Sequence, residues 1–206
     1  MAAGKTKHKA LWLVLGSFIG LIILVIAIIG GKYYMEKQRA TQLYQHGFKL
    51  YEEQIATYIK EHYSGVKKIE FSPIFIRRGG MSNANIVPVI YDEHGHKEIL
   101  GDSGKIDNVA TRSYGLLSGI NLDLDGATNE EIIELLDTDR EDVEVQNYKH
   151  LPNKAKWSYS EDIDDNISEL VKQGYLKGIE KSTQGSPHAK IIYNLEIKEG
   201  DYTKWH

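Results

Sequence analysis

"NLDLDGATNEEIIELL", residues 121–136, poses a choice between a calcium loop and a strand that turns into a helix. Asn121, Asp123, Asp125 and Gly126 stand where an EF-hand loop places its first ligands and its turn glycine. Such a loop needs a bidentate Glu at its twelfth position, and Ile132 stands there. Each residue also has a structural task. Ile120, Leu122 and Leu124 alternate with Asn121, Asp123 and Asp125, the period of a half-buried strand. Asp125-Gly126 is turn chemistry. Thr128 and Glu131 have capping-box spacing, which predicts a short helix with Ile132, Ile133, Leu135 and Leu136 on its apolar face. The expectation is strand, turn and helix, with no metal.

Upstream, "YEEQIATYIKEHYSG" (51–65) belongs to a longer helical pattern over 32–64. Tyr44, Phe48, Tyr51, Ile55, Tyr58 and His62 recur at steps of four and three and fall on one stripe, with Gly65 as the stop. The period then shortens. "VKKIEFSPIFI" (66–76) and "NIVPVIYD" (85–92) are β-rich, with Pro73 and Pro88 at bulges or ends, and "DEHGHK" (92–97) turns into a short strand at Glu98–Leu100. Residues 101–118 carry Gly and Ser without a period. "DVEVQNY" (142–148) predicts another strand.

"SEDIDDNISELVKQG" (160–174) predicts a helix. Ser160 stands at its cap, acids crowd its first turn, Ile163, Ile167, Leu170 and Val171 form its buried face, and Gly174 ends it. "YLKGIEKS" (175–182) and "AKIIYNLEIK" (189–198) predict a closing hairpin whose last strand is long and central. The order predicts an α+β domain over 65–206, with a mainly antiparallel sheet and two further helices, rather than a doubly wound nucleotide fold.

The N-terminus is of another kind. Ala10 to Gly31 contains no charged residue. About 20 apolar residues of helix cross the roughly 30 Å hydrocarbon layer. A cleavable signal peptide has a shorter apolar core and a small-residue cleavage site; bulky Ile28 and Ile29 precede Gly30 here. The expectation is an uncleaved transmembrane signal anchor over 10–31, with residues 1–9, which carry Lys5, Lys7 and Lys9, in the cytoplasm and the large domain outside. Gly16 and Gly20 form a G-x-x-x-G pair that would let two such helices pack as a homodimer.

Net charge is −4 and cysteine is absent, so no nucleic-acid partner is expected and disulfides, thiolate metal sites and cysteine nucleophiles are excluded. "GDSGK" (101–105) has the tetrapeptide of chymotrypsin-like proteases without their upstream triad partners, and is too short for a phosphate loop. His94 and His96 flank a turn glycine without strong metal-ligand spacing. No catalytic, cofactor or metal residues are therefore assigned.

The remaining candidate is the acidic run. Asp123, Asp125, Glu134, Asp137, Asp139, Glu141 and Asp142, with Arg140 among them, form either a solvated helix face or a docking surface for a basic protein partner. Lys67, Lys68, Arg77 and Arg78 form a smaller basic group, suited to lipid headgroups or to edge-strand protection.

At "YIKEHYSGVKKIEF" (58–71), behind a basic tail, one span and a tyrosine-rich helix, the chain resembles small single-span proteins of Gram-positive bacteria, some of which are immunity proteins against secreted toxins. The resemblance implies a membrane-anchored extracytoplasmic protein that binds another protein and has no catalytic residues. Two other readings stay open on the residues alone. One is a cell-envelope enzyme working through paired carboxylates; the other is a structural component of a membrane complex.

Overall fold

A computed structural model describes residues 4–77, 83–101, 113–125, 128 and 130–205, of which residues 4–20, 22 and 23 by their helical backbone alone. The elements are α1 (Gly4–His62), β1 (Tyr63–Ser64), β2 (Val66–Phe71), β3 (Ile74–Ile76), β4 (Ala84–Ile86), β5 (Pro88–Asp92), β6 (Lys97–Ile99), β7 (Tyr114–Gly115), β8 (Ile120–Leu124), β9 (Glu131–Leu136), β10 (Asp142–Glu144), α2 (Glu161–Lys172), β11 (Glu180–Lys181), β12 (Lys190–Ile192) and β13 (Ile197–Glu199). The chain divides into two compact units, Met1–Gln42 and Leu43–His206.

The first unit is helical. Among its described side chains, Leu21, Leu24, Val25, Ile26, Ile28 and Ile29 are 45–64% exposed. Among the described residues, no helix is long and apolar enough to cross a membrane. Most of the expected span lies in the part described by backbone alone, and the reading of Gly16 and Gly20 as a packing pair lies outside the described residues.

In the second unit α1 is a core element. The predicted stripe is buried from Tyr44 to Tyr58, and His62 stacks on Tyr58 at 4.4 Å. Leu50, Glu52, Gln54, Ala56 and Ile59 are buried as well, so the helix is enclosed on more than one face. Its polar residues tie neighbours together: Gln54 Nε2 donates to Leu136 O and Ala155 O. Gly47 lets the helix approach β8 closely, since a Cβ there would lie 2.4 Å from Leu122 Cδ2. The last carbonyls of α1 have no partner within the helix. The 182–186 loop supplies donors, Ser182 N to His62 O and Ser186 N to Lys60 O, both at 2.8 Å.

The sheets are mixed. The orders are β12-β2-β5-β6, β13-β3-β4-β7, β10-β9-β8 and β1-β11. The two four-stranded sheets use the same stretches of chain in succession and part at the two prolines. Neither Pro73 nor Pro88 can donate to the ladder. Ser72 fills in: its N–H donates to Val87 O, and its Oγ accepts from Val87 N.

Three expectations are corrected. First, Glu131–Leu136 is a strand, paired to β8 and β10, and the capping-box helix does not form. Thr128 instead belongs to the hairpin turn: its N–H donates to Asp125 Oδ1, and its Oγ1 accepts from Glu130 N. Six residues make a helix too short to hold itself, whereas as a strand they bury Ile133 and Leu135 and pair on both edges. One further helix, α2, is present where two were expected. Second, the closing hairpin does not form: β11 pairs with β1, and β12 and β13 pair parallel with β2 and β3. Third, the last strand is therefore split and lies at the sheet edge rather than the centre. The 182–186 loop, held on the end of α1, reverses the chain before β12 begins.

Candidate functional site

The β9–β10 turn is built around one carboxylate. Asp137 Oδ1 accepts from Asp139 N at 2.9 Å and Glu141 N at 3.0 Å, while Asp137 O accepts from Arg140 N. This winding leaves Arg140 at φ +64°. Facing it, the 115–120 turn closes through Leu117 N to Ile120 O and Ser118 Oγ against Gly115, and leaves Leu117 at φ +66°. Among the described residues these are the two non-glycine positions in the left-handed region. That region is costly for a leucine or an arginine.

Both residues line the same groove, of about 560 Å³. Leu117 is 85% exposed. Trp157 forms a wall; its Nε1 donates to Leu136 O at 2.8 Å, and its ring meets Tyr51 edge-on at 6.3 Å. Ser158 N donates to Thr138 Oγ1, which joins the turn to the segment leading into α2. The α2 N-terminus adds Glu161 and Asp162. Ser160 stands at the cap through its backbone, Ser160 O accepting from Asp164 N, and its side chain makes no capping bond. At the floor, Gly119 is required by contact, since a Cβ there would lie 2.2 Å from the Tyr51 hydroxyl oxygen. Burial first, then the neighbouring Tyr114 hydroxyl and Asp162 carboxylate, push the Tyr51 phenol well above its ordinary range.

The groove collects part of the predicted acidic surface. Asp137 and Asp139 line it. Glu141 contributes its N–H to the same turn, and Arg140 reaches Asp162 at 3.6 Å. The other predicted acids lie along the meander: Asp123 Oδ1 accepts from Leu124 N, Asp125 Oδ1 closes the hairpin turn, and Asp142 Oδ1 accepts from Asn121 Nδ2. Glu134 stands opposite both Asn121 and Glu144. The surface is thus an antiparallel meander and a groove rim, not the helix face expected.

The other candidates resolve into structural roles. Asp92 is fully buried and accepts from His94 N, His96 N, Lys177 N and the His96 ring, so His96 locks a turn. Burial opposes the Asp92 charge, but these donors hold its carboxyl below the usual range. Among the described residues no cluster of three or more acidic or histidine side chains suits a metal. The basic group is broken up: Lys68 meets Glu70 at 2.8 Å and lies 3.6 Å over the Tyr91 ring, and Arg77 reaches Asp201 at 3.8 Å. Arg78, the Asp102–Lys105 part of "GDSGK" and Gly126 lie outside the described residues.

Leu117, Trp157, Tyr51 and Asp162 were not among the sequence candidates. The available signals were local: a leucine pair between turn glycines in "YGLLSGI" (114–120), and two aromatics in the otherwise polar "KWSYS" (156–160). Compared with protein-family models, with curated proteins and with solved structures, the chain has no significant match.

Proposed function

We propose that this chain is a membrane-anchored, non-enzymatic protein-binding domain that works outside the cell, with the groove as its binding surface. The observation that carries the reading is the convergence of two strained residues, Leu117 and Arg140, on one groove, with Leu117 held almost wholly in solvent. Strain of this kind persists where the surrounding structure enforces it, and it concentrates at ligand clamps. The anchor rests on the uncharged run from Ala10 to Gly31 and on the exposed apolar side chains at its C-terminal end. Neutralisation of a secreted toxin is one form this binding would take.

Four carboxylates in one groove also favour a second reading, a carboxylate-using envelope hydrolase. Binding is preferred because such chemistry needs two poised carboxyls, and here Asp139 and Glu161 are exposed while Asp137 is bound into its own turn.

The test uses the full chain in native membranes, with a photoreactive phenylalanine at position 117 and a control at exposed position 97. A discrete cross-linked protein from 117 alone, lost on Asp137→Lys with Asp139→Lys, is expected. The same products from both positions, or none, would overturn the reading. Sidedness is read with a Thr183→Cys reporter and an impermeant maleimide, because Ser186 in the same loop is buried. Labelling only after lysis would remove the extracytoplasmic part of the proposal.

A further inference from the structure

Away from the groove, α1 carries a carboxyl that the fold leaves half bound. Glu52 is fully buried, its Oε2 accepts from Asn194 N at 3.3 Å, and its Oε1 has no hydrogen-bond partner. The Asn194 N–H belongs to the link 193–196, which carries the chain from β12 to β13. These strands run parallel to β2 and β3, so the link crosses the same break between the two four-stranded sheets as Ser72 and Pro73. Gln45 Nε2 also ties it to α1, donating to Leu195 O at 3.1 Å, and Ile74 N donates to Glu196 O at 2.8 Å. Tyr193 lies flat on Phe71, with ring centroids 6.1 Å apart, yet is 41% exposed. The link is thus a solvent-facing cover over a carboxyl in the core. The titratable groups around Glu52 do not offset a charge on it. Lys49, one turn earlier on α1, is committed to Glu53, which also accepts from Leu151 N and meets His150 Nδ1. Burial first, then the charges of Glu53 and Glu52, push the Tyr193 phenol up to about 12, so it stays neutral. Glu196 on the link pairs with Lys198 at 3.1 Å. A carboxyl with one long hydrogen bond keeps its proton in so dry a site. Burial raises Glu52 from 4.5 to about 8, against the smaller opposing effect of the Asn194 N–H.

We infer that Glu52 and the 193–196 link form a proton-operated latch: the link closes over the protonated carboxyl, and loss of that proton lifts the link and lets water reach the carboxylate while the rest of the unit stays folded. The single Asn194 N–H is too little to replace the water a carboxylate gives up. Lifting the link breaks the Gln45 and Asn194 ties to α1, whereas hydration from the other side would part α1 from the core it anchors. Opening also uncovers Phe71, which is 1% exposed beneath Tyr193. The closed form holds a proton that the open form releases in the ordinary carboxylate range. Closure is therefore firmest below about pH 4.5 and weakens as pH rises toward about 8.

The test is amide hydrogen exchange of the full chain in detergent micelles, read by mass spectrometry and corrected for the pH dependence of intrinsic exchange. Peptides covering 193–198 report the latch, and peptides covering 131–136 in β9 are the internal reference. Protection over 193–198 should fall by up to about tenfold per pH unit from about pH 5 to about pH 8 and level off above that, while β9 keeps its protection. Glu52→Gln cannot ionise and should hold the link's protection flat across the same range. If that variant does not fold, Glu52→Leu, which suits a dry site, takes its place, and the wild-type series remains decisive on its own. Protection of the link that does not change with pH, that falls as steeply in the uncharged variant, or that falls in step with β9 would each overturn the inference. The last of these would mean that ionisation of Glu52 loosens the whole unit and works no latch.

Discussion

Asp162 and Asp164 are two residues apart in the first turn of α2, and their surroundings differ in kind. Asp164 accepts from the Tyr58 hydroxyl at 2.8 Å, the Tyr63 hydroxyl at 2.5 Å and Lys181 Nζ at 2.5 Å, and its side chain is 14% exposed. Burial, and then this carboxylate, raise both phenols well above their ordinary range. Asp162 faces the groove, 30% exposed, and meets Arg140 loosely. The same contrast separates Asp92 and Glu53, which are saturated with donors, from Asp139 and Glu161 on the groove rim. A carboxylate that holds elements together has its lone pairs filled by its own chain. One on the groove rim, such as Asp139 or Glu161, keeps some of them in solvent.

The sharpest break of this comparison is Asp164→Ala. It leaves two phenol hydroxyls and an ammonium without their shared acceptor, and should cost about 3–4 kcal/mol. Denaturant unfolding of the full chain in micelles checks it; a loss no larger than that of a rim acid would show that the Asp164 cluster does not hold the fold.

Glu52 is the third kind of acid. It is fully buried, Asn194 N reaches its Oε2 at 3.3 Å, and Oε1 has no hydrogen-bond partner. Burial pushes its carboxyl up from 4.5 to about 8, against a smaller opposing effect of the Asn194 N–H. The folded state therefore keeps a proton that the unfolded chain has lost, so stability is full below about pH 4.5 and declines as pH rises toward about 8. Glu53 has the opposite sign. Burial disfavours its charge, but Lys49, Leu151 N and His150 lower its value, and its contribution is lost as pH falls below the ordinary carboxylate range. Glu52→Gln should raise stability at pH 8 by roughly 1–4 kcal/mol and have much less effect at pH 4.5. A variant that is no more stable at pH 8 would mean that Glu52 ionises without cost.

Smaller effects are expected at the groove. Leu117→Gly should stabilise by roughly 0.5–1 kcal/mol, because glycine tolerates φ +66° and the strain is relieved. It should also weaken the complex captured by a photoreactive phenylalanine placed instead at exposed groove position 161. Thermal melts beside the binding assay separate the two, and a destabilised variant would refute the strain argument. The smallest effect is on the groove rim, where Asp139→Asn, at an exposed carboxylate, should change stability by no more than about 0.5 kcal/mol. A stability loss matching Asp164→Ala would erase the distinction between the two acids.

Periodicity and side-chain type alone located α1 through its stripe, β2 to β5 with their proline interruptions, β8, and α2 with its glycine stop. These signals are local, since a repeat of four and three or of two is imposed by the backbone of the element itself. "EIIELL" carried both periods at once and was too short for either to prevail. Pairing with β8 and β10 settled it as a strand. The parallel placement of β12 and β13 depends on the seat of the 182–186 loop on the end of α1, more than a hundred residues earlier in the chain. The acids of the groove rim were visible as a charge run, but their sorting was not. Asp137 and Asp139 gained a floor from Tyr51, a wall from Trp157 and a neighbour in Asp162, and distant residues meet only when the chain packs. Composition and local pattern determined the elements, the uncharged N-terminal run and the absence of thiol chemistry. Tertiary structure decided which carboxylates are consumed by the fold and which stay on the groove rim, because that depends on donors supplied from elsewhere in the chain.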